Sequence, residues 1–316
     1  MMIGMIAAAV EELGANAGLQ LPGAESGYGS TRIPTGTLTY PREAVDSDNF
    51  HVILPRPAQR IVSQSYVTDE YLYSVVPPEF VVAVSPAAYQ QGSSAIYDDV
   101  AKYHPAIALD PEQLVRLNPD LIVVASTARA DFSSLIRSTG LPVFRMSTMI
   151  TSVEQVADTV RLTGYITGAD EAAQDTEARV RRAMSEAQAQ RPMNAPKFRI
   201  LGLSGHLIYG GETLFNDIVE KLGAINVGAE GGLKGYTEVS SETILRWDPD
   251  WIVTSAEPDK IASVRAQMMA DPGIAATQAA KRGHILVLDN RVFFPVSPYS
   301  TSLMKAMADA LYGEGN

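Results

Sequence analysis

The chain has 316 residues, 46% of them hydrophobic, and its 25 Lys and Arg against 36 Asp and Glu give a formal net charge of −11. This acidic balance, without any basic run, argues against a nucleic-acid partner, because duplex binding depends on clustered Lys and Arg. The absence of cysteine excludes disulfides, thiolate metal sites and cysteine nucleophiles, and no segment reaches the roughly 20 apolar residues that a membrane-spanning helix needs.

The first segment, residues 1–36, is predicted to be a flexible leader or the remnant of a signal peptide. Its short apolar run has no basic region before it and is interrupted by Glu11 and Glu12, and residues 14–36 are rich in Gly, Ser, Ala and Pro. The turn residues DSDN then separate TLTYPREAV from FHVILP, which predicts a β-hairpin at the start of the folded chain.

Short apolar runs alternate with helical stretches from Arg60 onward. The first half contains IVSQS, VVAVS, LIVVAS and LPVFRM, and the second half contains FRILGLS, WIVTS and HILVLD. Continuous apolar strands of this kind are typical of a parallel sheet that helices cover on both faces. The pattern therefore predicts an α/β fold.

One helix–strand unit occurs twice, as PEQLVRLNPDLIVVA at 111–125 and as SETILRWDPDWIVTS at 241–255. At a constant offset the identical pairs are Glu112/Glu242, Arg116/Arg246, Pro119/Pro249, Asp120/Asp250, Ile122/Ile252 and Val123/Val253. Asp110, with Gln113 at capping-box spacing, and Ser240 are predicted to cap the two helices. Pro119 and Pro249 are predicted to end them. The predicted buried faces are Leu114, Val115 and Leu117 in one copy and Ile244, Leu245 and Trp247 in the other. Two copies at a fixed offset indicate two related lobes.

A helical connector, residues 151–194, lies between the two copies. Gly164 and Gly168 are predicted to divide it into two helices, the second running from a cap at Asp170 to about Gln190. Those roughly 20 residues would span about 30 Å, and one such strut predicts only modest movement between the lobes. The predicted domains are an N-terminal lobe with its entry hairpin at 37–150, the connector, and a C-terminal lobe at 195–316.

Three stretches carry a resemblance to a known family: PRPAQRIVSQSYVTDEYLYSV, DPEQLVRLNPDLIVVAS and GGETLFNDIVEKLGAINVGAEGGLKGYTEVSSETILRWDPDWIVTS. In this order, over residues 37–313, the chain resembles the substrate-binding proteins of bacterial ABC importers for cobalamin, iron-siderophores and haem. The resemblance implies two Rossmann-like lobes with mostly parallel sheets, joined by one long helix, with the ligand in the cleft between them. It also implies a monomer without an intrinsic cofactor or catalytic activity, in a periplasmic or extracytoplasmic location.

The candidate ligand-binding residues follow the predicted strands, because ligands of open α/β sheets bind at the carboxyl ends of the strands. They are Tyr66, Tyr89, Tyr97, Arg129, His206, Tyr209, Lys234, Tyr236, Phe293 and Phe294. Less central candidates in the same loops are Ser65, Thr68, Thr127, Met146, Met149, Glu257 and Tyr299. The aromatic side chains suit a large, flat or partly apolar ligand. Tyr236, six residues before Glu242, matches the position where the family has an aromatic residue in the cleft.

The charge of these loops bears on the kind of ligand. Of the residues named above, only Arg129 and Lys234 are cationic, whereas catecholate or carboxylate siderophores carry several negative charges. The set therefore favours cobalamin, a hydroxamate chelate or haem. Haem needs an iron ligand, for which the candidates are Tyr89, Tyr97, Tyr103 and His206.

Two alternative functions deserve comparison. Direct binding of Zn or Mn would need several histidines and carboxylates in the cleft, but the chain has only His51, His104, His206 and His284. A serine hydrolase could use Ser204 in GLSG, followed by His206. That stretch lacks the second glycine of G-x-S-x-G and has no evident acid partner.

The partner implied by the resemblance is an importer permease dimer at the membrane. Glu242 matches the position of the family's docking carboxylate in the second lobe, although a glutamate in a first helical turn is also favourable for the helix itself. In the first lobe Asp98 and Asp99 are the candidates, in a stretch that departs from the family pattern.

Overall fold

The computed structural model describes residues 39–100, 105–107 and 110–313. The predicted leader at 1–36, as well as Tyr103 and His104, lies outside the described residues. The predicted hairpin is confirmed: β1 (Arg42–Val45) and β2 (His51–Leu54) pair antiparallel. The Asp46 carboxylate accepts the backbone N–H of Asp48 at 2.9 Å and of Phe50 at 3.0 Å, which closes the turn.

The N-terminal lobe is built on a four-stranded sheet in which all strands are parallel. The strands are β3 (Ile61–Ser63), β4 (Val81–Ala83), β5 (Leu121–Ala125) and β6 (Val143–Met146), in the order β4-β3-β5-β6. The α-helices are α1 (Tyr66–Val75), α2 (Tyr97–Val100), α3 (Pro111–Leu117) and α4 (Ala130–Ser138). Every residue of β5 is buried, as expected for a central strand covered on both faces.

The C-terminal lobe contains a six-stranded mixed sheet. Its strands are β7 (Arg199–Ser204), β8 (Leu207–Tyr209), β9 (Ile225–Asn226), β10 (Tyr236–Glu238), β11 (Trp251–Ala256) and β12 (Ile285–Asp289). β9, β7, β11 and β12 pair in parallel, whereas β8 and β10 add an antiparallel edge. The sheet is therefore less uniformly parallel than predicted, because Gly205, at φ 59°, allows β7 to turn back directly into β8.

The remaining helices complete the connector and the C-terminal lobe. The connector helices are α5 (Val153–Thr167) and α6 (Asp170–Ala189). Those of the lobe are α7 (Leu214–Lys221), α8 (Val227–Glu230), α9 (Ser241–Trp247), α10 (Ile261–Ala270), α11 (Pro272–Ala275), α12 (Gln278–Lys281), α13 (Asn290–Phe293) and α14 (Thr301–Tyr312). No helix of the described chain is both long and apolar enough to cross a membrane.

The repeated unit forms the same corner in each lobe. α3 ends at Asn118 and α9 at Asp248, both in the left-handed region (φ 46° and 45°), before the Pro-Asp pair turns into β5 or β11. Asp120 accepts the backbone N–H of Arg60 at 2.8 Å. Asp250 accepts that of Arg199 at 2.9 Å. The predicted caps are confirmed: the side chains of Asp110 and Ser240 each accept a backbone N–H of the first turn.

The arginines of these corners complete the arrangement. Arg60 Nε donates to the Asn118 carbonyl at 3.1 Å, and the Arg199 guanidinium donates to the Trp247 carbonyl. Both thereby satisfy carbonyl groups that a helix end leaves unpaired. Since β5 and β11 belong to separate sheets, the repeat serves two lobes, and each copy fixes the first strand of its lobe to the helix–strand corner.

The predicted buried faces of the repeat were partly wrong. Leu114 and Ile244 are buried, but Val115 is 48% and Leu245 38% exposed. A helix of two turns presents only a narrow stripe to the sheet, and the residue after a buried one is turned about 100° away from it. The two helices therefore show matching apolar side chains to solvent.

Two predictions about the connector, concerning Gly164 and Asp170, are wrong. Gly168 does end α5, in the left-handed conformation, but Gly164 lies inside that helix. A Cβ at Gly164 would lie 2.3 Å from the Cβ of Ala173, so this glycine allows α5 and α6 to approach closely. Asp170 is the first residue of α6 rather than its cap, and its carboxylate binds the Arg42 guanidinium at 2.7 Å. The 20-residue α6 packs against α1, α5 and α14.

Candidate ligand-binding cleft

Two exposed tyrosines, one from each lobe, lie near each other. Tyr66 is the first residue of α1, directly after β3, where Ser65 caps the helix. Tyr236 begins β10 of the other lobe. Their side chains remain 38% and 36% exposed, and the two phenols are close enough for the charge of one to affect the pKa of the other. Tyr66 and Tyr236 thus bring an aromatic ring from each lobe to one cleft.

A cluster of aromatic rings supports Tyr236 from behind. Tyr209 lies opposite Tyr236 in the β8–β10 ladder, and their rings meet edge to face with centroids 4.9 Å apart. Phe293 packs on Tyr209 at 5.1 Å and on Phe294 at 5.6 Å, both close to perpendicular. Tyr209 and Phe293 are buried. The structure therefore brings four of the predicted residues together, with Tyr236 exposed and the others behind it.

The phenols are protonated at neutral pH, as an ordinary tyrosine is, and their surroundings raise their pKa values above the ordinary one. Burial raises the pKa of Tyr236 to about 12, and burial, with smaller effects of Glu70 and Tyr236, raises the pKa of Tyr66 further. The pKa of the Tyr209 phenol is also raised, first by burial. Although water reaches more than a third of Tyr66 and Tyr236, protein crowds both rings on the other sides. These phenols can donate hydrogen bonds, and tyrosinate is disfavoured.

Among the described residues, the loops around the cleft carry four cationic side chains: Arg129 after β5, Lys234 before β10, Lys260 after β11 and Arg291 after β12. Each is paired with a carboxylate. Nitrogen–oxygen distances are 2.7 Å for Arg129–Asp131, 2.7 Å for Lys234–Glu212, 2.5 Å for Lys260–Glu257 and 2.6 Å for Arg291–Asp289. The hydrogen bond to Glu212 raises the pKa of Lys234. These loops therefore offer an anionic ligand little uncompensated positive charge.

Further contacts join the lobes around the aromatic rings. Asp98 lies 3.8 Å from the Arg291 guanidinium. The loop at Gly92 rests on Glu257, since a Cβ at Gly92 would lie 2.8 Å from Glu257 Cγ. At the bottom, the Tyr71 hydroxyl donates to the Val296 carbonyl at 3.1 Å. The cleft is consequently bounded by interlobe contacts on more than one side.

The remaining predicted residues occupy different surroundings. Tyr89 packs against the core, and its hydroxyl donates to the Val100 carbonyl at 3.3 Å. Tyr97 begins α2 and is half-buried. Arg129 is exposed. His206 is exposed in the turn between β7 and β8. Of the haem-ligand candidates, Tyr89 is therefore already engaged within its own lobe.

The alternatives based on metal or hydrolysis gain no support from the geometry. His51 contacts Glu43 in the hairpin, and His284 stacks on Trp251 with centroids 4.2 Å apart, so these histidines serve other places. No group of three or more metal-ligating side chains occurs within residues 39–100, 105–107 and 110–313. Ser204 pairs with Leu207 in the β-ladder, and His206 lies exposed in the turn between them.

Sequence reasoning missed Glu70, which lies one turn after Tyr66 and is buried. The Ser297 hydroxyl donates to its carboxylate at 2.6 Å, although the two residues are 227 positions apart in the chain. Burial raises the pKa of Glu70 to about 7. The signal available in the sequence was a pair of acidic residues, Asp69 and Glu70, in the first turns of an otherwise apolar helix.

Two lobes that close on an aromatic cleft define the class of two-lobed binding proteins. A family model described as periplasmic binding protein matches residues 61–292, and the chain belongs to this family. It is therefore a solute-binding protein by family. The members of this family are binding proteins rather than catalysts.

Relatives and solved structures agree with this assignment. A cobalamin-binding protein of Halobacterium salinarum is 24% identical over 278 residues, which cover 87% of this chain and 75% of the relative. The periplasmic haem-binding protein HutB of Vibrio cholerae has a TM-score of 0.69 at 21% identity, over 80% of this chain and 99% of that one. The periplasmic haem-binding protein RhuT of Roseiflexus sp. RS-1 has a TM-score of 0.67 at 20% identity, over 81% and 98%. At these identities the two structures establish the shared fold.

Proposed function

We propose that this protein captures a corrinoid of the cobalamin type in the cleft, outside the cytoplasm, and delivers it to the permease of an ABC importer. The observation that carries the choice of ligand is the charge balance of the cleft loops, where Arg129, Lys234, Lys260 and Arg291 are each paired with a carboxylate. A corrinoid bears neutral amide side chains around its ring, whereas haem bears two carboxylates. Burying carboxylates beside cations that are already paired is unfavourable.

The state of the phenols supports the same ligand. Tyr66 and Tyr236 are protonated at neutral pH, as tyrosines ordinarily are, so they can donate hydrogen bonds to amide oxygens. The exposed rings offer flat apolar surfaces to a macrocycle.

A neutral ferric hydroxamate is the second candidate, because it also satisfies the charge balance. The relative named as a cobalamin-binding protein and the flat faces of Tyr66 and Tyr236 favour the corrinoid. Absorbance titration of the purified chain with cyanocobalamin, haemin, a neutral ferric hydroxamate and an anionic ferric catecholate distinguishes these ligands. We expect saturable binding of cyanocobalamin tighter than of the other three. Preferential binding of haemin or of the catecholate would refute the charge argument, and preferential binding of the hydroxamate would identify the second candidate.

The repeat also suggests how the protein meets its partner. Glu242 lies exposed in the first turn of α9, and Glu112 occupies the same place in α3. Asp98, proposed from sequence, instead faces Arg291 of the other lobe, and Asp99 is exposed beside it. We favour Glu112 as the counterpart of Glu242, because the two helices also match at Val115/Leu245 and Arg116/Arg246, all exposed. Two equivalent surfaces on one molecule suit a permease dimer, which presents two equivalent subunits.

A further inference from the structure

Glu70 connects three parts of the molecule below the cleft. It belongs to α1, one turn beyond Tyr66, and is 1% exposed. Its carboxyl group accepts the Ser297 hydroxyl at 2.6 Å and the backbone N–H of Ala95 at 3.4 Å. Ser297 is fully buried and lies after α13, where the chain of the C-terminal lobe returns to pack its 3₁₀ turn, Pro298–Ser300, against α1, α5 and α6. One buried side chain thus ties the N-terminal lobe to a segment of the other lobe.

The groups that face Glu70 offer little positive charge. From α1 they are Asp69, Tyr66 and Tyr71, and from the 3₁₀ turn Tyr299. Asp99 of α2 and Arg179 of α6 reach this cluster only through Tyr299, with opposite effects on the pKa of its phenol. An ionised Glu70 would therefore be a buried charge without a cationic partner among the described residues, which is costly.

A neutral carboxyl group avoids this cost and keeps the contact. Across the same 2.6 Å, its carbonyl oxygen can accept the Ser297 hydroxyl or its own O–H can donate to Ser297 Oγ. Burial raises the pKa of Glu70 to about 7, whereas the bonds from Ser297 and Ala95 oppose the rise. The group therefore changes its charge near neutral pH.

We propose that Glu70 is a positioning residue that holds the two lobes at the spacing required for ligand binding, through Ser297, and that it does so as a neutral carboxyl group. Because the pKa of Glu70 is raised when the lobes are assembled, its contribution to holding them together is complete at acidic pH and is lost as the pH rises through about 7. Separation of the lobes would move Tyr66 away from Tyr236. Only this consequence for affinity rests on the proposed function.

The absence of cysteine allows a direct test by pulsed electron paramagnetic resonance. Leu135 in α4 and Met269 in α10 are 53% and 45% exposed, one in each lobe, and Leu135→Cys with Met269→Cys would carry the spin labels. The distance between labels is measured without ligand at about pH 5.5 and about pH 8.5, on either side of the raised pKa. We expect a narrow distribution at the lower pH and a broader one at the higher pH.

Variants of neighbouring carboxyl groups make the test specific. Glu70→Gln, which stays neutral, should give the narrow distribution at both pH values, and Ser297→Ala should give the broad one at both. Asp69→Asn is the matched control: its carboxyl is also buried, but it bonds Ser85 within the same lobe. The pH response should persist in this variant, displaced to lower pH because the Asp69 charge helps to raise the pKa of Glu70.

Three results would overturn the inference. One is a distribution that does not change with pH in the unsubstituted chain. Another is an unchanged distribution in Ser297→Ala. The third is a pH response that Asp69→Asn abolishes and Glu70→Gln retains. If the distances behave as expected but cyanocobalamin does not bind, the proposed ligand is wrong and the role of Glu70 stands.

Discussion

Tyr209 and Tyr236 face each other across the β8–β10 ladder, with ring planes 85° apart and centroids separated by 4.9 Å. The buried ring holds the exposed one upright at the cleft, because the edge of one ring packs against the face of the other. The orientation of the exposed ring is therefore set by the fold before any ligand arrives. Such preorganisation lowers the cost of binding, since less side-chain freedom is lost.

Removal of the exposed ring should weaken ligand binding without unfolding the lobe. Replacing Tyr236 by Ala removes one wall of the cleft, and a buried aromatic contact of this kind is commonly worth about 2 kcal/mol or more. We expect the dissociation constant for cyanocobalamin to rise more than tenfold. The control is Tyr89→Phe, which removes only a hydroxyl bonded to Val100 in the other lobe and should leave affinity nearly unchanged. An unaltered titration with Tyr236→Ala would remove this residue from the site.

The repeated corners should contribute to stability independently of each other. Asp120→Ala and Asp250→Ala each remove a carboxylate that accepts a backbone N–H, from Arg60 just before β3 or from Arg199 at the start of β7. Each should lower the free energy of unfolding by about 1–3 kcal/mol. Because the corners lie in separate sheets, the effects should add in the double variant. Urea titration measures both, with Glu112→Ala on the exposed face of α3 as control. Strong non-additivity would mean that the corners are coupled.

How far the sequence predicts this structure depends on the range of the interaction. The two helix–strand corners could be predicted because their signals are local: a cap, a proline and an apolar strand, each present in both copies of the repeat. The exposure of Val115 and Leu245 could not be predicted, since it depends on how a two-turn helix lies on its sheet. Glu70 was beyond reach for a different reason. Its partner Ser297 is 227 residues away, and only the assembled lobes bring them together.

Asp69 should make stability depend on pH in a defined direction. Burial raises the pKa of this carboxyl from 3.8 to about 7, and the bonds from Ser63 and Ser85 only partly oppose the rise. Because its pKa is raised in the folded state, Asp69 contributes fully to the stability of the fold below about pH 4, and this contribution is lost as the pH rises through about 7. The free energy of unfolding of Asp69→Asn, relative to that of the unsubstituted chain, should therefore increase as the pH rises from acidic to mildly alkaline. Urea midpoints of both proteins at several pH values test this, and a constant difference would contradict it.

The last prediction separates docking from ligand capture. Glu112 and Glu242 lie exposed in the first turns of α3 and α9, one in each lobe. Glutamine keeps the shape of either side chain but cannot form a charge-assisted bidentate contact with a permease arginine. Glu242→Gln should therefore leave the cyanocobalamin titration unchanged and weaken the complex with the importer. Loss of one partner of a buried charge pair costs about 2–5 kcal/mol, and less at an exposed rim.

A double variant, Glu112→Gln with Glu242→Gln, shows whether both lobes take part in binding the permease. If the permease dimer contacts the two helices equivalently, Glu112→Gln should weaken the complex about as much as Glu242→Gln, and the two effects should combine. Asp98→Asn and Asp99→Asn serve as controls, because they test the positions suggested by sequence instead. Complex formation measured in detergent or nanodiscs, beside ligand titration in solution, provides the two readouts.

Normal complex formation by Glu112→Gln with impaired complex formation by Asp98→Asn would restore Asp98 as the docking carboxylate of the first lobe. Normal complexes for both glutamine variants would leave Glu112 and Glu242 only their place in the first turn of a helix, where a carboxylate interacts favourably with the helix dipole.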